Sequence, residues 1–236
     1  MDTRGVKLTW LGHGTFKAQS PVGQIILIDA WVQGNPACPE KLKTFDKIDV
    51  MLITHGHFDH IGDAVALAKQ HKPMVVAVWE TCQWLAAKGV TDLVDMNKGG
   101  TEKVGDIEVT MVHADHSCGI LDDGKIVYGG EPCGYVIRFA SGFTLYHAGD
   151  TNVFSDMKII GELYKPDLAC LPIGDRYTMS PREAAYALRL LGVRAVIPTH
   201  YGTFPILTGT PQKLKELTAD IAGLEIFALK PGESVG

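Results

Sequence analysis

Four side chains that commonly bind metal ions occur within six positions in the first third of the chain. They are His55, His57, Asp59 and His60, and they directly follow residues 50–54, an apolar run typical of a buried strand. Imidazole nitrogens and carboxylate oxygens are ligands for zinc, iron, manganese and nickel. The cluster predicts a metal site, whereas helix capping or a polar role in the core accounts less well for four such groups so close together.

The spacing of these residues allows one loop to serve two ions. Because alternate residues of an extended segment project to the same side, His55 and His57 can reach one ion. Asp59 and His60 lie further along the turn and can reach a neighbouring ion. Four ligands rarely complete two coordination spheres, so further ligands are expected elsewhere in the chain.

Three other predicted strands also end in groups that can bind metal. In α/β scaffolds, side chains at the ends of several strands commonly assemble one site. The groups are His113 and His116 after residues 107–112, His147 and Asp150 at the end of residues 143–147, and His200 after residues 195–199.

The order of these groups resembles a known family. The motif HxHxDH, a later histidine, the Gly-Asp-Thr sequence of residues 149–151 and a terminal histidine resemble the metallo-β-lactamase superfamily over nearly the whole chain. Residues 11–13 (Leu-Gly-His) and 200–204 (His-Tyr-Gly-Thr-Phe) look like the branch of uncharacterised metal-dependent hydrolases related to L-ascorbate-6-phosphate lactonase. The resemblance implies an α/β fold, a four-layer αββα sandwich of two mixed β-sheets with helices on the outer faces.

The resemblance also implies two divalent metal ions, most commonly Zn²⁺, with Mn²⁺, Ni²⁺ and Fe²⁺ as alternatives for the same ligands. A carboxylate can bridge ions about 3.5 to 4 Å apart, which an imidazole does less readily. The implied ligands are His55, His57 and His116 for the first ion, Asp59, His60 and His200 for the second, and Asp150 between the two.

His116 is preferred over His113 because the family pattern places this ligand just before small residues, as Ser117 is here. His113 and His147 are expected to support the site by hydrogen bonding rather than to bind metal. Asp29, at the end of an apolar run, is expected to fix a loop or support a ligand.

Hydrolysis is the reaction that such a site predicts. Two divalent ions lower the pKa of a shared water towards neutrality, and one ion can polarise a carbonyl or phosphoryl oxygen. Asp59 is expected to orient or deprotonate the water. His13, in a glycine-flanked turn, either contacts the substrate or donates a proton, with a structural role in the turn as the alternative. A serine hydrolase is disfavoured because the chain has no GxSxG motif and Ser180 is predicted to cap a helix.

Lactones, esters and phosphodiesters are the candidate substrates, in that order, and the preference for lactones rests on the family analogy alone. A zinc β-lactamase is disfavoured because it would use a cysteine at the second metal. A nucleotide phosphodiesterase or nuclease, and a non-catalytic metal-binding module, remain alternatives. The residues expected to line the substrate pocket are Trp31, Asn35, Asp175, Arg176, Tyr177, Tyr201 and Phe204.

Composition predicts one globular domain over residues 1–236. The net charge is −5 and no run of Lys or Arg exceeds a pair, so nucleic acid is not expected as a partner. No apolar stretch approaches the roughly 20 residues that cross a bilayer, and a cytoplasmic protein is expected, with a homo-oligomer as an open alternative to a monomer. The five cysteines are odd in number and form no CxxC pair, which predicts reduced thiols, with Cys118 as the only one near the predicted site.

Short β-branched runs alternate with helical patterns in the second half of the chain, while the first thirty residues predict an antiparallel meander. Ser180 and Glu183 form a predicted capping box, and Thr210-Pro211 marks another helix start, with that helix expected over residues 211–222. Residues 29–44 show no periodicity and are predicted to be a loop.

Overall fold

Two seven-stranded β-sheets pack face to face in the computed structural model, which describes residues 1–236. Helices cover the outer face of each sheet, so the predicted four-layer αββα sandwich is confirmed. None of the helices is both long enough and apolar enough to cross a membrane.

The first sheet contains most of the N-terminal half. Its strands are β1 (Lys7–Gly12), β2 (Thr15–Gln19), β3 (Ile25–Ile28), β4 (Val50–Leu52), β5 (Met74–Val78), β6 (Leu93–Met96) and β16 (Ser234–Val235). They lie in the order β16-β1-β2-β3-β4-β5-β6. The pairs from β16 to β3 are antiparallel, which confirms the predicted meander, and those from β3 to β6 are parallel. Its outer helices are α1 (Phe58–Ile61), α2 (Ala64–His71) and α3 (Trp79–Ala87).

The second sheet contains most of the C-terminal half. Its strands are β7 (Thr101–Val104), β8 (Ile107–His113), β11 (Cys133–Phe139), β12 (Thr144–His147), β13 (Leu168–Pro172), β14 (Ala195–Thr199) and β15 (Glu225–Ile226), in the order β15-β14-β13-β12-β11-β8-β7. The pairs from β12 to β15 are parallel. Its outer helices are α4 (Met157–Tyr164), α5 (Pro181–Leu191) and α6 (Pro211–Leu217).

Three apolar clusters hold the four layers together. The central cluster of 27 buried residues lies between the sheets and takes side chains from both, including Phe16 and Tyr135. Each outer cluster joins one sheet to its helices. The Tyr135 hydroxyl crosses between the sheets and donates to the carbonyl of Ile53 at 2.8 Å. The sheets are therefore fixed relative to one another directly beneath the residues that follow β4.

Helix boundaries follow local side-chain chemistry. Ser180 and Glu183 form the predicted capping box of α5, and Thr210 accepts a hydrogen bond from the backbone N–H of Lys213 at the start of α6. The prediction that α6 extends to residue 222 is wrong. The helix ends at Leu217, because the backbone of Thr218 (φ −117°, ψ 11°) leaves the helical conformation and the chain then turns.

A two-stranded hairpin lies outside both sheets. It consists of β9 (Gly119–Asp122) and β10 (Lys125–Tyr128), paired antiparallel. Residues 29–44 contain only a short 3₁₀ helix, Glu40–Leu42, in agreement with the predicted loop.

Candidate metal centre

The seven predicted metal ligands converge where the chain leaves four different strands. The loop after β4 provides His55 and His57 and leads into α1, which contains Asp59 and His60. The segments after β8, β12 and β14 provide the other three, which are His116, Asp150 and His200. The cluster is built by the packing of both sheets, since β4 belongs to the first sheet and the other three strands to the second.

One group of nitrogens is formed by His55, His57 and His116. The Nε2 atom of His55 lies 3.0 Å from Nδ1 of His57, and Nε2 of His116 lies 3.3 Å from the same Nδ1 atom. All three donor atoms are within 4.8 Å of one another, which is close enough for one ion to contact all three. These are the three ligands predicted for the first ion.

The second group contains Asp59, His60 and His200, together with His13. The Oδ2 atom of Asp59 is 3.7 Å from Nε2 of His200 and 3.8 Å from Nε2 of His60. His13 is closer still, with Nε2 2.8 Å from the same oxygen. The predicted ligands of the second ion are therefore brought together, and His13 contacts the carboxylate among them.

A single oxygen of Asp150 lies between the two groups. Its Oδ2 atom is 3.0 Å from Nε2 of His200 and 3.3 Å from Nε2 of His60. The same atom is 3.8 Å from Nε2 of His116 and 3.9 Å from Nε2 of His55. The Asp150 carboxylate is thus close to nitrogens of both groups.

Asp29 supports His60 from behind. Both residues are fully buried, and Nδ1 of His60 lies 2.7 Å from Oδ2 of Asp29. Thr54 donates its backbone N–H and its hydroxyl to the two oxygens of the same carboxylate, each at 2.8 Å. Because the carboxylate only accepts here, Nδ1 of His60 donates, and Nε2 is directed towards Asp150 at 3.3 Å. The structure therefore places Asp29 in the supporting role expected for it.

The donor atoms fit a pair of divalent cations. Nε2 of His60 is buried and makes no hydrogen bond within the protein, although it lies 3.3 Å from Oδ2 of Asp150. A buried polar atom without a partner is costly, and a cation would satisfy it. Imidazole and carboxylate are the ligands that Zn²⁺, Mn²⁺ and Fe²⁺ accept.

Charge is distributed unevenly across the centre. Burial, and then the nearby His60, hold the pKa of His55 well below its usual value, so that it is neutral and can donate a lone pair. Burial alone would lower the pKa of His200, but the Asp150 carboxylate outweighs it and raises that pKa to about 9. Burial likewise opposes ionisation of Asp150, yet His200 and His60 hold the pKa of Asp150 well below its usual value. The strongest charge pairing therefore involves the second group.

Close packing fixes the loop between His55 and His57. The backbone N–H of Gly56 lies 3.3 Å from Sγ of Cys118, and a Cβ atom at Gly56 would collide with the Ile120 side chain. Cys118 thus contacts the backbone of the metal-binding loop rather than a predicted ligand atom. Gly14 has a similar role on the other side, because a Cβ there would lie 2.6 Å from Cε1 of His60. The sequence signal for the contact between Gly14 and His60 was the glycine-flanked turn around His13.

The remaining histidines lie outside the metal centre. His113 is exposed at the end of β8, where its ring packs against Phe154, and it supports none of the predicted ligands. The expectation that His113 supports the site is therefore wrong, because the strand turns its side chain away. His147 is buried, and its Nδ1 accepts from the N–H of Gly149, which shapes the turn leading to Asp150.

A cavity of about 850 Å³ opens onto the metal centre. Of the residues expected to line it, Tyr177 and Phe204 do so. Trp31 packs behind Phe204 and has its ring edge against Phe58. Phe58, within the metal-binding motif itself, is a lining residue that the sequence analysis did not single out.

The other predicted lining residues have different environments. Asn35 is buried and directs its amide at the carbonyls of Gly12 and Trp31, so it holds the loop. Tyr201 stacks on Trp10, on the side of the core. Asp175 and Arg176 are exposed beside the cavity rather than in its wall. The prediction that these residues line the cavity is wrong, because loop geometry directs their side chains elsewhere.

The two-sheet sandwich and the His/Asp cluster at its strand ends define a metal-dependent hydrolase. The chain belongs to the β-lactamase superfamily and, within it, to the UPF0173 metal-dependent hydrolases: residues 24–201 match the model of the β-lactamase superfamily domain. The predicted membership of the metallo-β-lactamase superfamily is thereby confirmed.

Relatives match over almost their whole length. A UPF0173 metal-dependent hydrolase of Koribacter versatilis is 60% identical over 234 residues, covering 99% of each chain. One from Methanopyrus kandleri is 44% identical, covering 97% of this chain and 99% of the relative. The solved structure of Igni18, a metallo hydrolase from Ignicoccus hospitalis, superposes with a TM-score of 0.86 at 36% identity and covers 98% of this chain and 97% of its own.

Proposed function

We propose that this metal-dependent hydrolase holds two divalent ions, most commonly Zn²⁺, and hydrolyses a small-molecule lactone, ester or phosphodiester, in that order of preference. His55, His57 and His116 would hold one ion, and Asp59, His60 and His200 the other. Bound ions would polarise the electrophilic oxygen of the substrate and lower the pKa of a water molecule.

The position of Asp150 is the observation that carries the proposal of two ions. A carboxylate serving one ion would lie near the nitrogens of one group only. Oδ2 of Asp150 instead lies within 4 Å of nitrogens from both groups, at 3.0 Å from His200 and 3.9 Å from His55. This geometry favours a shared ligand over a site for a single ion.

Asp59 is well placed to orient a water molecule at the edge of the cavity. Its side chain is 14% exposed and lines the cavity, so a water molecule arriving there meets this carboxylate. Burial opposes its ionisation, but the charge of His60 and the hydrogen bond from His13 hold the pKa of Asp59 below its usual value. A carboxylate that stays ionised can accept a hydrogen bond from water and orient it for attack.

His13 acts through Asp59 in this proposal. The residue borders the cavity, but its side chain is fully buried, which disfavours direct contact with a substrate. Its Nε2 is 2.8 Å from Oδ2 of Asp59, and its Nδ1 is 3.0 Å from the hydroxyl of Thr203. Burial lowers the pKa of His13 to about 4, so the ring is neutral and one of its nitrogens can accept. We therefore assign His13 the positioning of Asp59.

A nuclease is disfavoured by the cavity wall. Proteins that bind nucleic acid neutralise phosphates with Lys and Arg, and neither residue type lines the cavity. We also propose a cytoplasmic location, which is consistent with five free, buried cysteines.

The experiment is metal analysis of the purified chain followed by a panel of lactones, esters and phosphodiesters, each with and without chelator. His116→Ala should lose metal and activity, while His113→Ala, only three residues away, should retain both. One bound ion per chain would contradict the binuclear centre. Bound metal without metal-dependent turnover of any substrate would contradict the hydrolytic function and favour a metal-binding module.

A further inference from the structure

The cavity wall facing the metal centre is apolar and open to water. Its side chains include Phe58, Leu121, Ile126, Tyr177, Phe204 and Ile206. Five of these six are at least 44% exposed, the least exposed of the five being Ile206. Exposed apolar side chains that are grouped together favour a ligand that covers them. The cavity volume, about 850 Å³, is within the range typical of small-molecule sites.

The wall is assembled from segments that are distant in the chain. Leu121 and Ile126 are directly opposite one another in the β9–β10 hairpin, so both side chains lie on the face towards the cavity. The opposite face of the hairpin is anchored, because Ile120 is buried against Gly56 in the metal-binding loop. The position of the wall is therefore fixed relative to the metal ligands.

The same wall contains no Lys or Arg side chain that could pair with an anionic group on a substrate. The ionisable residues that line the cavity are histidines and aspartates of the metal centre, with Tyr177 the only other group that can ionise. Arg176 lies beside the wall, with its guanidinium carbon 5.9 Å from the centre of the Tyr177 ring, but it does not belong to the lining. A phosphate on the non-reacting part of a substrate would lose water and gain no buried cation.

We propose that the substrate of this enzyme carries an uncharged apolar group, alkyl or aryl, beside the lactone or ester group, and that this apolar group lies against Leu121 and Ile126. The inference rests on the proposed hydrolytic function and specifies its substrate class. It distinguishes this site from one built for phosphorylated sugar lactones, which would need a cation in the wall.

The test uses the metal-loaded full-length chain and γ-lactones with linear alkyl tails from methyl to heptyl. The value of kcat/KM should rise about fourfold for each added methylene until the tail extends beyond the wall. A flat or falling series would overturn the proposal, as would a preference for a lactone whose tail ends in phosphate. Absence of turnover on every lactone and ester would contradict the proposed function instead.

A matched pair of variants locates the effect. Leu121→Ser should lower the ratio of kcat/KM for the heptyl to the methyl lactone by about tenfold. Leu163→Ser, on α4, should leave the ratio unchanged, because Leu163 is exposed to the same degree, 66% against 65%, but lies away from the cavity.

Calorimetric titration gives a second readout that does not depend on turnover. The metal-loaded chain should bind octanoate more tightly than acetate, and Leu121→Ser should reduce that difference.

The alternative role of the hairpin is an interface between copies of the chain, which light scattering would detect. An unchanged chain-length dependence in Leu121→Ser, with or without a change in subunit number, would overturn the proposal.

Discussion

Replacing Asp29 with asparagine would remove the support of His60 while keeping the size of the side chain. One oxygen of Asp29 accepts from the backbone N–H of Thr54, and the other accepts from Nδ1 of His60 at 2.7 Å. An amide has one NH₂ group, so either orientation places a donor against one of these two N–H donors. If the amide faces His60, the imidazole must move its proton to Nε2 and lose the lone pair that a metal ion would use.

The expected loss is selective for one ion. Changes to groups that orient metal ligands typically weaken metal binding by about 10- to 100-fold, equivalent to about 1.4 to 2.8 kcal/mol. Asp29→Asn should therefore lose the ion held with His60 first, while the ion held by His55, His57 and His116 is retained. Dialysis against graded chelator, followed by elemental analysis, measures both affinities, and circular dichroism checks the fold.

Asp63→Asn is the matched control. Its carboxylate accepts from the backbone N–H groups of Val32 and Gln33, in the loop that follows Asp29, and contacts no predicted ligand. This variant should keep both ions. Wild-type affinity for both ions in a folded Asp29→Asn protein would refute the reasoning, and so would equal metal loss from the Asp63→Asn protein.

Three further predictions concern other parts of the molecule. His57→Ala should lose metal and activity because it removes a donor from the first group, whereas His13→Ala should keep its metal and lose activity; elemental analysis showing metal loss from both would make His13 a ligand. Burial raises the pKa of the Cys38 thiol to about 11, so only about one thiol in a thousand is ionised at pH 8. Alkylation of the native protein by iodoacetamide should be slow at pH 8 and accelerate as the pH approaches 11, and a native rate equal to the unfolded rate would contradict this. Tyr135→Phe should lower the free energy of unfolding in urea by about 1 to 2 kcal/mol, because the carbonyl of Ile53 loses its buried donor; an unchanged midpoint would show that the bond contributes nothing.

Local interactions made much of the fold predictable. The capping box at Ser180 and the cap at Thr210 depend on neighbours within three residues, and both helices begin where the sequence indicates. The length of α6 was overestimated, because its apolar pattern continues past Leu217 while the backbone of Thr218 leaves the helical conformation. The β9–β10 hairpin was not predicted, although the sequence contains a signal for it, because Asp123-Gly124 between two short apolar runs is typical of a two-residue hairpin turn.

The sequence by itself determined which groups bring chemistry to the centre. Only a few side chains bind divalent ions, and their order from His55 to His200 was enough to indicate a metal-dependent hydrolase. That information is present in residue types and local spacing, so it required no knowledge of how the sheets pack.

The tertiary structure alone decided how those groups relate in space. The packing of one sheet on the other sets the position of Asp150 between two groups of histidines and the contact between His13 and Asp59. It likewise directs His113 to solvent and brings the hairpin over the cavity. These distances join residues that are far apart in the chain, and a linear pattern contains no measure of them.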